Sequence, residues 1–445
     1  MCAATWPDRA ATGNGCRAVL LIVRLSMPRR RAERRGLRLW HVWIVLPLAF
    51  VTAIAIAAGV FLAGWDLLGV RELKPERRID SKTLFDLVKL SFGVVAGAGA
   101  LVALVVAYRR QRVDEDGALR EATRLHTERF TAAVSQLGDD SAAVRLGGVH
   151  ALAGLADDAP TLELRQTCID VLCAYLQLPF TPDPGDAPEH QEEHNRYLAL
   201  RKVRHTILRL IGDHYQRPKG KPGSWQGCHL DFTGVTIDGD LNLRSASFSG
   251  ARVSFDDATF SGSTVLFDSA AFSGGRVTFN GATFSGSWVT FDDATFSGST
   301  VLFNGATFSG GTVSFGGATF SGGTVFFYGA TFSGGRVSFD NAAFSGGTVL
   351  FDDATFSGSD MAFNTAAFSG GRVTFDDATF SGGAMSFYFA TFSRGTVLFN
   401  CATFSGCAVS FGGATGTPPI GLIPGDGSPL PTGLLLADAW HPTGQ

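Results

Sequence analysis

Residues 258–269 read Ala258-Thr259-Phe260-Ser261-Gly262-Ser263-Thr264-Val265-Leu266-Phe267-Asp268-Ser269, and Ala270 begins the same string again. From Phe255 to Phe411 phenylalanine recurs with alternating gaps of five and seven: Phe255, Phe260, Phe267, Phe272, Phe279, Phe284 and onward. A fixed twelve-residue period predicts a stack of like units, not an ordinary globular core. Function in such a stack is expected on its surface and not in a catalytic pocket.

Two places before each Phe stands Ala or Val. Period two is strand geometry, so Ala258 and Phe260 face one way and Thr259 the other. The same reading makes Val265, Phe267, Ala270, Phe272, Val277, Phe279, Phe327 and Phe332 parts of one inward ladder. The Ala is kept in all thirteen copies from Ala258 to Ala402, and the Val gives way only to Met361 and Met385. No polar group enters these positions, so that side is dry. Between the strand triplets sit turn formers such as Ser261-Gly262, Asp256-Asp257 and Asn280-Gly281. Strands this short cannot make useful hairpins, but they can wind into a solenoid whose coils pair at ~4.8 Å. Burying one Phe contributes roughly 1.5–3 kcal/mol, so dozens of them support a core despite the abundant Gly.

The repeat resembles the pentapeptide-repeat family, whose unit is Ala-(Asp/Asn)-(Leu/Phe)-x-x with the Ala and the central apolar residue both inward. Ala-Thr-Phe-Ser-Gly matches it repeatedly, and Val-x-Phe-Asp-Asp matches in looser form, over residues 226–415. The resemblance implies a right-handed four-sided β-helix. One departure matters: two extra residues, Ser263-Thr264 in the first unit, stretch alternate pentads to seven. Four sides then require two units, or twenty-four residues; a flattened twelve-residue coil is the alternative. The four-sided coil is preferred, because a two-sided one presses opposed Phe rings into a thin sandwich. Phe232, Ile237, Leu243 and Phe248 read as a degenerate first coil that protects the open edge. The Pro/Gly-rich tail, residues 416–445, is expected to be disordered, which leaves the last coil to be covered by a second copy in a homodimer.

Two apolar stretches precede the repeats, about Val42–Trp65 and Leu90–Tyr108, each near the ~20 residues of a spanning helix. Residues 42–108 are therefore expected to hold two transmembrane helices with a short external loop. Trp40, Trp43, Trp65 and Tyr108 stand at their ends, where amphipathic rings favour the interface. Arg29, Arg30, Arg31, Arg34, Arg35 and Arg38 precede the first span, and Arg109, Arg110 and Arg112 follow the second. The positive-inside rule then places both termini in the cytoplasm of a multi-pass cell-membrane protein. Residues 1–41 form a basic N-terminal segment. Met27-Pro28-Arg29 reads as a natural start within it, with residues 1–26 as a start-site artefact or a dispensable extension.

Residues 109–225 are helical by pattern: Glu121–Leu137, Ala142–Ala156 after the cap Asp139-Asp140-Ser141, Leu162–Leu178 and Glu189–Tyr215. The stretches around Phe130–Gly138 and Val144–Leu152 resemble the helical module that precedes pentapeptide repeats in actinobacterial membrane proteins. They also look like one HEAT-type helix pair. The segment reads as a connector, with a small protein-binding module as the alternative.

Chemistry is sparse. The formal net charge is −3, and the seven cysteines form no CxxC pair, which argues against a zinc ribbon. Cys168 and Cys173 read as buried reduced thiols. His190 and His194 have i, i+4 spacing but lack the HExxH order. No phosphate loop, nucleophile elbow or dinucleotide fingerprint is present, so neither an enzyme nor a cofactor is expected. From Leu230 to Thr415 there is no Lys and no Glu, and Asp outnumbers Arg. Asp256, Asp257, Asp292, Asp293, Asp352, Asp353, Asp376 and Asp377 recur at one repeat position and are expected to align in a broken acidic row. Arg252, Arg276, Arg336 and Arg372 share another position. Acidic rods in the drug-resistance branch of the family mimic DNA and bind DNA gyrase. Here Asp also serves to make corners and keep a Phe-rich rod soluble. The reading preferred on sequence is a membrane-anchored, non-catalytic scaffold in the bilayer that binds an unidentified protein partner, with nucleic acid disfavoured. A topoisomerase-regulating DNA mimic and a nearly neutral repeat expansion are the alternatives.

Overall fold

The computed structural model describes scattered helical residues between Phe50 and Asp66, then residues 81–423, 429–430 and 432–441. The chain divides into two units, one spanning Met27–Leu125 and one that includes His126–Gln445.

In the first unit, Phe50, Val51, Ile54 and Leu62 are helical and exposed. The rest of the first apolar stretch, the basic segment 1–41 and residues 67–80 of the loop contain no other described position beyond the scattered ones. The expected first span therefore lies largely outside the described residues. Helix α1, Ser81–Leu137, contains the second apolar stretch, and its turns from His126 onward belong to the second unit. Among the described residues it is the one helix long and apolar enough to cross a membrane. Leu90, Phe92, Val95 and Leu104 on it are 68–70% exposed.

In the second unit, helices α2 (Ala142–Asp157), α3 (Leu162–Gln177) and α4 (Gln191–Tyr215) precede a β-solenoid of about eight turns. Strands pair in parallel with partners twenty-four residues away: Val265 with Val289, Val289 with Val313, Val313 with Val337. Two twelve-residue units thus make one turn. A turn holds four strand segments, for example Thr295–Phe296, Thr300–Leu302, Thr307–Ser309 and Thr312–Ser314, before Thr319 returns beneath Thr295. These define four lateral faces, numbered here in that order. The first and second faces merge where strands run straight through the corner, as in Thr295–Leu302, Thr319–Phe326 and Ala343–Leu350.

The interior is packed rings. Phe260 stacks on Phe284 at 4.7 Å and Phe267 on Phe291 at 4.6 Å, each with planes 1° apart. Across the core Phe267 meets Phe279 edge-on at 6.1 Å. Stacked and T-shaped contacts alternate, so each ring's electron-rich face or positive edge has a suitable neighbour. Corners are closed by turns in which Ala258 N–H donates to the Phe255 carbonyl at 3.1 Å. The residue before the Ala sits in the left-handed region: Asp257 at φ 56°, Asp293 at 57°, Asn341 at 61° and Gly317 at 65°. That requirement favours Gly, Asn and Asp at this position, although Ser269, Thr365, Phe389 and Cys401 adopt it too, at φ 55–57°.

The helices cover the first coil. Gln166 exchanges two hydrogen bonds with the His229 backbone (2.7 and 2.8 Å), and Gln177 donates to the Asp231 carbonyl. Arg204, Arg201 and Gln216 donate to the carbonyls of Thr236, Asp238 and Asn242. Unpaired strand edges invite pairing with other chains. The segment read as a connector supplies the side chains that satisfy this edge, a task the sequence assigned to the degenerate coil alone.

The described parts of the tail, residues 416–423 and 432–441, differ from the expectation of disorder. Thr415–Gly416 pairs with Thr391–Phe392, Ile420 bridges to Leu398, and Leu434–Leu435 pairs with Val409–Ser410. Trp440 is 6% exposed, lies 5.4–5.5 Å from the rings of Phe411 and Phe392, and donates its indole N–H to the Gly416 carbonyl at 2.8 Å. Composition concealed a few apolar anchors strong enough to order their neighbours. The last coil is thus covered by this chain's own tail on its first, second and fourth faces, while Phe404 at the end of the third stays partly exposed.

Candidate functional site

The ladder residues Ala258, Phe260, Val265, Phe267, Ala270, Phe272, Val277, Phe279, Phe327 and Phe332 are all fully buried. They fill the solenoid and leave its sides as the surface available for recognition.

The acidic residues divide by turn geometry. Because a turn holds two units, Asp256-Asp257, Asp352-Asp353 and Asp376-Asp377 lie at the corner after the second face. Asp292-Asp293 lies at the corner after the fourth, beneath Asp268 and above Gly316. The single row expected from sequence is therefore two rows on different corners. Arg336 likewise falls on the fourth face, apart from Arg252, Arg276 and Arg372 on the second.

At each corner the first Asp is an inter-turn brace. Asp256 Oδ1 accepts from the Asn280 amide at 2.9 Å, and Asp292 Oδ1 accepts from the Gly316 amide at 2.8 Å. Asp352 and Asp376 do the same for Asp376 and Asn400, at 3.3 and 3.0 Å. The second Asp (257, 293, 353, 377) is exposed and holds the left-handed turn. Both positions are thereby accounted for by backbone chemistry.

The third face went unread in the sequence. Its outward column is Thr236, Thr259, Thr283, Thr307, Thr331, Thr355, Thr379 and Thr403, one hydroxyl per turn without a break. A serine column from Ser261 to Ser405 runs beside it. The equivalent column of the first face is interrupted by Ala271, Ala343 and Ala367. Those three alanines are separated by multiples of twenty-four, the sequence signal that would have exposed both the turn length and the distinct third face.

Below the solenoid, an open cavity of about 750 Å³ is lined by Arg165, Gln166, Lys219, Lys221, Cys228 and His229, among others. Several of its groups are structurally engaged. Arg165 donates to the carbonyls of Ala156, Asp157 and Ser224, and His229 Nδ1 accepts from the Arg252 amide. Burial raises the Cys228 thiol and pushes those of Cys168 and Cys173 up to about 12, so they stay protonated and poor nucleophiles at neutral pH. His190 and His194 take separate partners, Glu193 and Asp183. Among the described residues, no group of three or more His, Cys, Asp or Glu could hold a metal ion.

At the junction, Asp238 receives Arg201 at 2.8 Å and His205 at 3.2 Å. Burial would raise its carboxyl, but the hydrogen bonds from His205 and Arg201 outweigh this and hold it at about 2. It ties α4 to the first coil.

Residues 279–327 match the family model for pentapeptide repeats, in nine copies. The pentapeptide-repeat solenoid is a fold that typically carries no catalysis and offers a repetitive surface for protein interaction. No curated protein and no solved structure matches the chain.

Proposed function

We propose that the protein is a membrane-anchored, non-catalytic scaffold that holds a protein partner on the lateral faces of its pentapeptide-repeat solenoid. The observation that carries this reading is the completeness of the interior: Phe columns fill it, and the chain itself covers parts of both ends. The sides are what remains for recognition. The third face is the best candidate among them, because its threonine column runs unbroken from Thr236 to Thr403. A flat ladder of hydroxyls and β-branched methyls suits a broad polar protein surface.

Membrane attachment is supported by the exposed apolar stretch of α1 and by the sequence of the first apolar stretch. In this reading both segments span the cell membrane, and both termini and the right-handed solenoid lie in the cytoplasm. The alternative of a DNA mimic acting on a topoisomerase has less support, because the Asp pairs are split between two corners and form no continuous acidic row.

The test is affinity capture from native membranes followed by mass spectrometry. Full-length protein is compared with Thr331→Arg/Thr355→Arg on the third face and Thr319→Arg/Thr391→Arg on the first. A partner lost only with the third-face pair is the expected result. Identical partner sets for arginine pairs placed on each of the four faces would overturn the scaffold reading and favour a neutral expansion.

A further inference from the structure

We propose that the cavity between α3, the loop 216–229 and the first coil binds a small phosphate monoester carrying two negative charges. The loop follows α4 and holds Arg217, Lys219 and Lys221 without one carboxylate. It leads into a solenoid that has neither Lys nor Glu from Leu230 to Thr415. Lys219 and Lys221 line the cavity together with Arg165, His229 and a single carboxylate, Glu163. Three permanent cations and one anion thus border the same open volume of about 750 Å³.

These cations lack carboxylate partners. Arg165 donates to three main-chain carbonyls, which orient the guanidinium but leave its charge uncancelled. That charge reaches the cavity wall, where it opposes the rise that burial imposes on the Cys228 thiol. Lys219 Nζ donates to the Ser249 hydroxyl at 3.2 Å, and Lys221 is exposed. Among the described residues neither ammonium forms an ion pair. His229 Nδ1 accepts from the Arg252 amide at 3.0 Å, which places the ring proton on Nε2 and leaves that N–H to donate.

The frame around them is set before any ligand arrives. Trp225, fully buried, stacks on His214 at 4.2 Å and donates to Asp157 at 2.8 Å. The Lys221 amide donates to the Pro218 carbonyl and the Ser224 amide to that of Lys221, both at 3.1 Å. Ser224 Oγ donates to the Arg217 carbonyl at 2.8 Å. A loop pinned in this way loses little freedom on binding.

Charge and volume define the ligand. Lysine serves phosphate as a point charge, and arginine adds directed donors. Three cations less one carboxylate leave two positive charges. A monoester dianion cancels both; a phosphodiester, such as a membrane lipid headgroup, cancels one. The volume lies within the range of about 300–1,000 Å³ typical of small-molecule pockets and exceeds what bare phosphate fills, so the phosphate carries an organic group. Leu162 and Pro222 give that group apolar neighbours.

The full chain in detergent is titrated with glycerol phosphate, a dianionic monoester, and with glycerophosphoglycerol, the monoanionic diester of the phosphatidylglycerol headgroup. Calorimetry measures affinity, and hydrogen exchange locates the ligand. Saturable binding of the monoester with slowed exchange in residues 219–229 is the expected result, with the diester about tenfold weaker or more. Lys219→Ala and Lys221→Ala should each weaken the monoester by about tenfold, the loss of one charge-assisted hydrogen bond. Glu163→Gln should strengthen it severalfold, and because it removes no cation it keeps the test independent of any lysine-dependent folding. Lys202→Ala, an exposed cation on α4 outside the cavity, should change nothing. Matched urea midpoints show that the variants are folded. No saturable binding of glycerol phosphate up to about 10 mM overturns the site. So does unchanged affinity in both cavity lysine variants, or an equal loss in Lys202→Ala, which would mean diffuse attraction. A diester that binds as tightly as the monoester overturns the assigned ligand and gives the cavity to a lipid headgroup.

Discussion

Replacing Phe327 by Ala tests whether the ring columns hold the turns together. The side chain is fully buried in the middle of the solenoid. It stacks on Phe303 and Phe351 at 4.7 Å and meets Phe315 and Phe339 edge-on at 6.1 and 6.3 Å. Truncating a buried Phe costs about 3–5 kcal/mol, from lost transfer energy plus the cavity left behind. Phe308 and Phe332 add tilted contacts at 6.4 and 6.1 Å; aromatic pairs add about 0.5–1.5 kcal/mol each beyond area, so six ring neighbours place this site at the upper end of that range. Each turn contacts only its neighbours, so the damage should be local. Phe404 provides the contrast: it is partly exposed, and in its own column it stacks on Phe380 alone, at 4.9 Å. The assay is hydrogen exchange with mass spectrometry across a urea series on the full chain in detergent. For Phe327→Ala, peptides around Phe303 and Phe351 should lose about 3 kcal/mol or more of protection, while those around Phe260 keep theirs. Phe404→Ala should cost about half as much, confined to the last turns. Equal losses for the two variants, or less than about 1 kcal/mol for Phe327→Ala, would refute the argument that inter-turn stacking dominates the core.

The corner carboxylates should differ although adjacent in sequence. Asp292→Ala removes the carboxylate to which the Gly316 amide and the Ser314 hydroxyl both donate, leaving the amide only Ser314 Oγ at 3.3 Å, and should destabilise by about 1–3 kcal/mol in urea unfolding, whereas Asp293→Gly, at φ 57°, should be neutral or stabilising. Asp238 is held at about 2 against an unfolded value of about 3.9, so its contribution is fully present above about pH 4 and is lost as pH falls through 2. The stability gap between wild type and Asp238→Asn should therefore be flat above pH 4, at roughly 2 kcal/mol, and shrink below it; a gap that widens on acidification would contradict the assignment. Maleimide should label the exposed Cys401 in the native protein but reach Cys168 and Cys173 only after unfolding, as peptide mapping would show.

The sequence made the ladder plain because a dry inward position tolerates only apolar residues, and the Ala, Val and Phe repeats state that constraint directly. Surface order was harder to read. A twelve-residue copy carries the same letters on either half of a turn, so Asp256 and Asp292 look equivalent until the turn length is known. The edge cover was hidden for another reason: Gln166, Gln177 and Gln216 act on main-chain carbonyls distant in sequence, and nothing local marks a glutamine for that task. In the tail, prolines and glycines obscured the anchors Leu434 and Trp440, since composition averages over a segment while burial is decided residue by residue.

The two-units-per-turn geometry has a consequence for how this chain can change length. Gaining or losing one twelve-residue unit leaves every inward letter in place, so the interior does not register the event. Everything beyond that point, however, is rotated by half a turn: threonines move from the third face to the first, and the two corners exchange their carboxylates. Gain or loss of two units restores the phase. Unequal recombination in such a gene would thus be silent for folding at every step but would reset the recognition surface at every odd one. If a partner reads one face, surviving length variants should differ by even numbers of units.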